Sequence, residues 1–136
     1  MRVIHINYSD IYGGAARAAL RIHHCLRDSG VDSKMWVNNS ATGDSTVEGP
    51  VSKYQRAMVS IRPYLVSPVR KVFKTRNPII HSPAVLPSRC VKLINNIDED
   101  IINLHWVQGE MLSIRGIGSI NKPIVWTLHD MWAFCG

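Results

Sequence analysis

Absences narrow this chain before any motif does. No apolar run approaches the roughly 18 residues that a membrane-crossing helix needs. The three cysteines, Cys25, Cys90 and Cys135, stand far apart and form no C-x-x-C pair. That excludes a disulfide framework and a zinc knuckle, and reduced thiols are expected. The N-terminal apolar stretch is short and runs at once into Asn7, Ser9 and Asp10, unlike a signal peptide, so a cytoplasmic location is expected. Neither G-x-G-x-x-G nor G-x-S-x-G occurs, which argues against a nicotinamide cofactor and against a serine-hydrolase elbow. The sharpest absence is of negative charge. Between Ser52 and Pro78 there is no carboxylate, while seven cations stand there: Lys53, Arg56, Arg62, Arg70, Lys71, Lys74 and Arg76. The other nine of the 16 Lys/Arg face all ten Asp/Glu, so one segment carries the whole +6 excess.

What is present suits one globular domain: 136 residues, 46% hydrophobic and 19% charged. Arg2 to Asn7 alternates and is rich in β-branched residues, which reads as a strand. A helix is expected from about Ala15 to Ser29, with Ala15, Ala19, Ile22 and Leu26 on its apolar stripe and Gly30 as its cap. Ser33 to Asn38 is a second strand, and Asn39 to Pro50 a surface loop. Tyr54, Met58 and Ile61 have helical spacing, interrupted at Arg62-Pro63. Ser67-Pro68 looks like a fresh helix start, and Pro78, Pro83 and Pro87 mark an extended return. A helix over about Ser88–Asn96, a strand over Ile101–Trp106, a helix over Leu112–Ile120 and a strand over Ile124–Leu128 complete the pattern. The last strand, an unbroken apolar run, is expected to be central and buried. Strands alternating with helices predict an α/β, Rossmann-like parallel sheet with flanking helices.

Three groups of residues invite a functional reading, each beside a plain one. Gly13-Gly14 follows the first strand and opens the first helix, where bare amides and the helix dipole favour a phosphate; a tight turn with no ligand fits equally. Asn103, His105 and Trp106 end one strand, and His129, Asp130 and Trp132 follow another. Such positions lie where open parallel sheets bind ligands, and His or Asp there can move protons or hold sugar hydroxyls. For His105 a buried structural role competes. His105, His129, Asp130 and Cys135 lack metal-ligand spacing, so no metal is expected. The basic segment reads as a solvated helix face or as a helix lying on an anionic bilayer, with Arg70, Lys71 and Lys74 opposite Val69, Val72 and Phe73. No nucleic-acid motif accompanies it.

Two stretches, INYSDIYGGAARAALRIHHCLRDSGVDSKMWV and IINLHWVQGEMLSIRGIGSINKPIVWTLHDMWAFCG, together resemble the N-terminal domain of family 4 glycosyltransferases of bacterial exopolysaccharide and colanic-acid type. The resemblance implies the N-terminal part of a GT-B fold: a partial acceptor-side domain over 1–136, with a variable basic helical insertion at about 52–87 and without the donor-binding domain. It implies a retaining, hexosyltransferase-like enzyme that moves a sugar from a nucleotide-sugar to a glycan or lipid-linked acceptor. Gly13 and Gly14 would meet the donor diphosphate. His129 and Asp130 would be catalytic, and Arg17, Asn103, His105 and Trp132 would border the acceptor. The nucleotide-sugar is a substrate, so no cofactor is expected, and Arg70, Lys71 and Lys74 would touch the inner face of the cell membrane. Alone, the chain is expected to be inactive. The alternative is a non-catalytic module that binds a membrane surface or another anion through its basic amphipathic segment.

Overall fold

A computed structural model describes residues 1–68 and 82–135. Strand β1 (Arg2–Ser9) leads into α1 (Gly14–Asp28), β2 (Asp32–Asn39), the short β3 (Val47–Glu48) and α2 (Lys53–Leu65). After the return come α3 (Arg89–Asn96), β4 (Ile101–Leu104), α4 (Ile114–Ile117), β5 (Ile124–Trp126) and α5 (Trp132–Cys135). The five strands form one sheet in the order β3-β2-β1-β4-β5, and every pairing is parallel. The expected α/β, Rossmann-like sheet is therefore present. The order reverses beside β1, whose two neighbours are β2 and β4. A crevice opens at such a point in doubly wound sheets.

Side chains alternate across each strand, so the sheet has two distinct faces. Ile4 and Ile6 of β1 and Ile102 and Leu104 of β4 share one face, packed with Cys90 and Ile94 of α3 and with Val107, Met111 and Leu112. This is the main core. Burial there pushes the Cys90 thiol far up, so it behaves as a small apolar group. On the other face α1 lays Ala16, Ala19 and His23 onto the sheet, where Ala19 meets Met35, Val37 and Val47. The buried line on α1 is thus Ala16–Ala19–His23, while Arg17, Arg21, His24 and Asp28 stand exposed as expected. The helix stops where expected: Gly30 adopts φ 81, and the Gly30 and Val31 amides donate to the Arg27 and Leu26 carbonyls.

Several expectations are corrected. The apolar run at 124–128 is not central: β5 is an edge strand, and Ile124 and Val125 are 38% and 52% exposed. It pairs with β4 alone, and only its last residue, Trp126, packs against the main core. The loop 39–50 contains β3, whose buried Val47 lies opposite Met35; two residues are too few for periodicity to reveal. The helix expected over 112–120 shrinks to α4, because Leu112 is already committed to the core and Ser113 caps the turn through the Gly116 amide. β4 ends at Leu104, although His105 and Trp106 still exchange backbone hydrogen bonds with Ile6 and Tyr8.

α2 opens with a capping box. Ser52 Oγ accepts from the Gln55 amide, and the Gln55 side chain accepts from the Ser52 amide. It then runs through Pro63 rather than breaking there, since a proline in the last turn removes only one helix bond. Neither the helix start at Ser67-Pro68 beyond residue 68 nor Arg70, Lys71 and Lys74 can be placed, because residues 69–81 lie outside the described part of the chain. Among the described residues no helix is long and apolar enough to cross a membrane.

Candidate functional site at the carboxyl edge of the sheet

The carboxyl ends of β1, β4 and β5 share one edge of the sheet, and the expected site residues lie there. The loop after β1 is braced from within. Ser9 Oγ accepts from the Tyr12 amide at 3.2 Å. Asp10, fully buried, accepts from the amides of Ala41 and Thr42 and from the Thr42 hydroxyl. Burial opposes ionisation of Asp10, but the hydrogen bonds from Thr42 and Ala41 outweigh it and hold the carboxyl below its ordinary range. These anchors set the approach to α1. Gly13 is the N-cap with φ 93, a conformation that disfavours any residue with a Cβ. It offers no side-chain cap, and the first turn carries no acidic residue. The space around Gly13 and Gly14 is open. Glycine is thus required at Gly13 by its backbone, whereas packing within the chain demands nothing at Gly14. Arg17 stands exposed one turn further on.

The face under α1 is polar where a parallel sheet is ordinarily apolar. β1 contributes His5 and Asn7, both buried, to this face. His5 Nδ1 lies 2.9 Å from His105 Nε2, and His105 Nδ1 lies 3.0 Å from His129 Nε2. The rings lie end to end, with centroids 5.2 Å and 5.3 Å apart and planes tilted by 28° and 23°. The three imidazoles form a chain that runs from the half-buried His129 to the fully buried His5. Burial, with His23 nearby, lowers His5 to about 4, and burial, with His5 and His129 nearby, lowers His105 to about 3. Both are neutral at physiological pH. The structural reading of His105 is borne out: it is buried and hydrogen-bonded, and one of its partners is the candidate residue His129.

The remaining candidate residues are each held by hydrogen bonds. Asn103 Oδ1 accepts from the Thr127 hydroxyl at 3.1 Å. Asn7 Oδ1 accepts from the Trp106 amide, tying the ends of β1 and β4. Asp130 accepts at one oxygen from Trp106 Nε1 (3.0 Å) and Gln108 Nε2 (2.5 Å), and at the other from the Trp132 amide (3.0 Å). Its carboxylate is thereby the hub of the loop after β5. Trp132 is tied through its indole N–H to the Ser82 carbonyl at 2.9 Å, and its ring lies tilted near Trp126. His105 with His129, Asp130 with Trp132, and Asn103 with Thr127 thus form neighbouring bonded groups along one edge. Among the described residues no hydrogen bond joins Gly13, Gly14 or Arg17 to them.

Three features escaped the sequence. Glu110, 1% exposed, accepts from the amides of Ala84, Val85 and Leu86, and so pins the extended return beside the site. Arg62 clamps the same region by donating to the carbonyls of Glu110, Leu86 and Pro87. The signal for Glu110 was weak, a single carboxylate in a polar turn; for His5 and Asn7 it was available, as polar residues at alternate positions of a Val/Ile strand. The third feature is a cleft of about 450 Å³ beside the ends of β1 and β2, lined in part by Tyr8, Asn38, Asn39, Ser40, Arg56 and Ser60, with no carboxylate on its wall among the described residues.

His23, His24 and Asp44 place one ligating atom each within 4.8 Å of one another. His23 is already satisfied, with Nδ1 at 2.8 Å from Ser33 Oγ and Nε2 at 2.8 Å from Thr46 Oγ1. Asp44 in turn accepts from Thr46 and pairs with His24 at 2.8 Å. That is a closed hydrogen-bond network that leaves no nitrogen of His23 free for a metal. Comparison of the chain with protein-family models, with curated proteins and with solved structures finds no match.

Proposed function

We propose that this chain forms the acceptor-side wall of a glycosyltransferase cleft, the N-terminal Rossmann-like part of a GT-B enzyme whose donor nucleotide-sugar is held chiefly by a second domain. The observation that carries the reading is the placement of two loops at one edge of a parallel sheet. The uncapped N-terminus of α1 at Gly13-Gly14 and the His129–Asp130 loop follow strands on either side of the point where strand order reverses. In this reading the α1 amides face the leaving diphosphate, stabilising charge as the glycosidic bond to it breaks. His129 orients the transferred sugar, and Asp130, fixed by its three donors, holds the loop and borders the acceptor hydroxyl. Asn103, His105 and Trp132 shape the acceptor side, with Arg17 flanking it. The cleft of Tyr8, Asn38, Asn39 and Arg56 suits further sugar units, since amide, hydroxyl, aromatic and guanidinium groups together match a glycan. The mechanism needs no metal or organic cofactor. The resemblance also favours action in the cytoplasm, on acceptors at the inner membrane face.

The test is a backbone NMR titration of the 136-residue chain with a nucleoside-diphosphate hexose and, separately, with an oligosaccharide acceptor. The nucleotide-sugar is expected to perturb Gly13 and Gly14 with millimolar affinity, and the oligosaccharide to perturb the surroundings of His129 and of Arg56. No sugar transfer is expected. Perturbations confined to other surfaces, or turnover by this chain alone, would overturn the division of labour.

One observation favours the second reading, a membrane-surface or anion-binding module. α2 leaves Tyr54, Met58, Ile61 and Leu65 exposed, by 70%, 39%, 48% and 55%, at helical spacing. None of its residues is buried, and the helix opens the basic segment, although Arg56 lies on the face opposite the stripe. An exposed apolar stripe at the start of a carboxylate-free basic segment suits the interface of an anionic bilayer. Sedimentation with anionic vesicles, but not with zwitterionic ones, is the expected result, and charge reversal at Lys53, Arg56, Arg70, Lys71 and Lys74 should abolish it.

A further inference from the structure

One buried side-chain nitrogen among the described residues has no partner: Nε2 of His5, at the inner end of the histidine chain. That orphan gives the chain a direction. A neutral imidazole has one N–H and one lone pair, so a middle ring bonded at both nitrogens must donate with one and accept with the other. His105 is that ring. Two arrangements follow. Either His5 Nδ1–H donates to His105 Nε2 and His105 Nδ1–H donates to His129 Nε2, or both bonds run the opposite way. In the first, the orphan at His5 is a bare lone pair; in the second, it is a buried N–H with no acceptor. Orphaned buried donors are the rarer kind, because an unmet N–H forfeits a directional bond that water would have supplied.

We propose that His5 and His105 are positioning residues for His129: the chain donates outward from His5, so His129 accepts at Nε2 and presents its Nδ1–H at the carboxyl edge of the sheet. The site then offers a neutral hydrogen-bond donor of fixed orientation, suited to an oxygen such as a sugar hydroxyl or ring oxygen. A free histidine in water favours the opposite tautomer, with the proton on Nε2, so the chain reverses the intrinsic preference. The rings lie end to end with planes tilted by only 28° and 23°, so each bonded nitrogen faces its neighbour along the line of the chain. What the donor is for rests on the glycosyltransferase reading, but its existence does not, and the two can fail separately.

The experiment is long-range nitrogen–proton NMR of the histidine rings at mildly alkaline pH, with no ligand present. The expected spectrum shows His129 protonated at Nδ1, His5 and His105 protonated at Nδ1, and couplings across both N–H···N bonds. Replacing His105 by Phe should return His129 to the Nε2–H form. If the wild-type chain shows His129 protonated at Nε2, the direction is wrong and the proposal falls, whether or not the variant folds. Persistence of the Nδ1–H form in a folded His105→Phe variant would also sink it, because something other than the chain would then set the tautomer. A correct tautomer combined with no sugar contact at His129 in the titration would leave the positioning intact and remove the glycosyltransferase reading.

Discussion

The two faces of the sheet are built from the same strands on opposite principles. One face meets Cys90, Ile94 and Leu112 with Ile4, Ile6, Ile102 and Leu104, a dry surface in which shape and apolar area do the work. The other, one residue out of phase, carries His5, Asn7, Ser33, Asn103 and His105, whose burial is tolerable only because nearly every polar atom is bonded. A parallel sheet gains most from apolar residues on both faces. The contrast therefore says that the polar face is kept for something besides stability. It also predicts that the two faces respond to different insults.

Acid should separate them most strongly. Burial lowers His5, His23 and His105 to about 4, 4 and 3, against an ordinary value of 6.5. These groups bind more protons when unfolded, so the stability they confer is complete above about pH 6.5 and is lost as pH falls toward their folded values. Three protons taken up on unfolding correspond to a slope of roughly 4 kcal/mol per pH unit in that window. Asp10 and Asp44, held below their ordinary range, add a further loss at lower pH. Urea unfolding between pH 7.5 and 5 should show the decline beginning near neutrality. A flat profile down to the carboxylate range would mean that the histidines are not neutral and buried.

The apolar face should be indifferent to acid and sensitive to volume. Leu104 is fully buried in the main core, and Leu104→Ala should cost about 2–5 kcal/mol through lost transfer energy and a cavity. The slope of stability against pH should be unchanged in that variant, because the histidines lie across the sheet. Equilibrium denaturation at two pH values checks both halves of the statement. A changed slope would show that the faces are coupled and that the comparison is too clean.

The legibility of each face in the sequence follows from the same contrast. Periodicity records apolar burial, so β1, α1, β2 and α3 were readable, and with them the parallel α/β order, although of the stripe expected on α1 only Ala19 is fully buried. It records nothing about partners. His23 reads as one more polar residue on α1, yet it is buried between Ser33 and Thr46, both of which come later in the chain. Glu110 is invisible for the same reason, since its three amide donors lie 24–26 residues earlier. β5 misled in the opposite direction: Ile124, Val125 and Trp126 are as apolar as a central strand, but position in a sheet is set by neighbours. At the site, His129 and Asp130 were found by their place after a strand. The bonds that join them to His105 and Trp106 belong to the fold.

The smallest effect is the most discriminating for the polar face. Thr46 is half-buried, at the rim of the network, between His23 Nε2 and Asp44 Oδ1. Thr46→Val keeps the shape and removes the hydroxyl. If the network matters as a set of bonds, the variant should lose about 1 kcal/mol, and no more, because water at the rim can replace part of what is lost. The loss should shrink when His23→Phe is already present, since Thr46 then keeps only its bond to Asp44. A double-mutant cycle measures that coupling directly. Equal losses in both backgrounds would mean that Thr46 stabilises β3 by other means and that His23 is held by burial alone. The polar face would then be a set of independent tolerated groups, and only the His5–His105–His129 chain would retain a claim to have been built for a purpose.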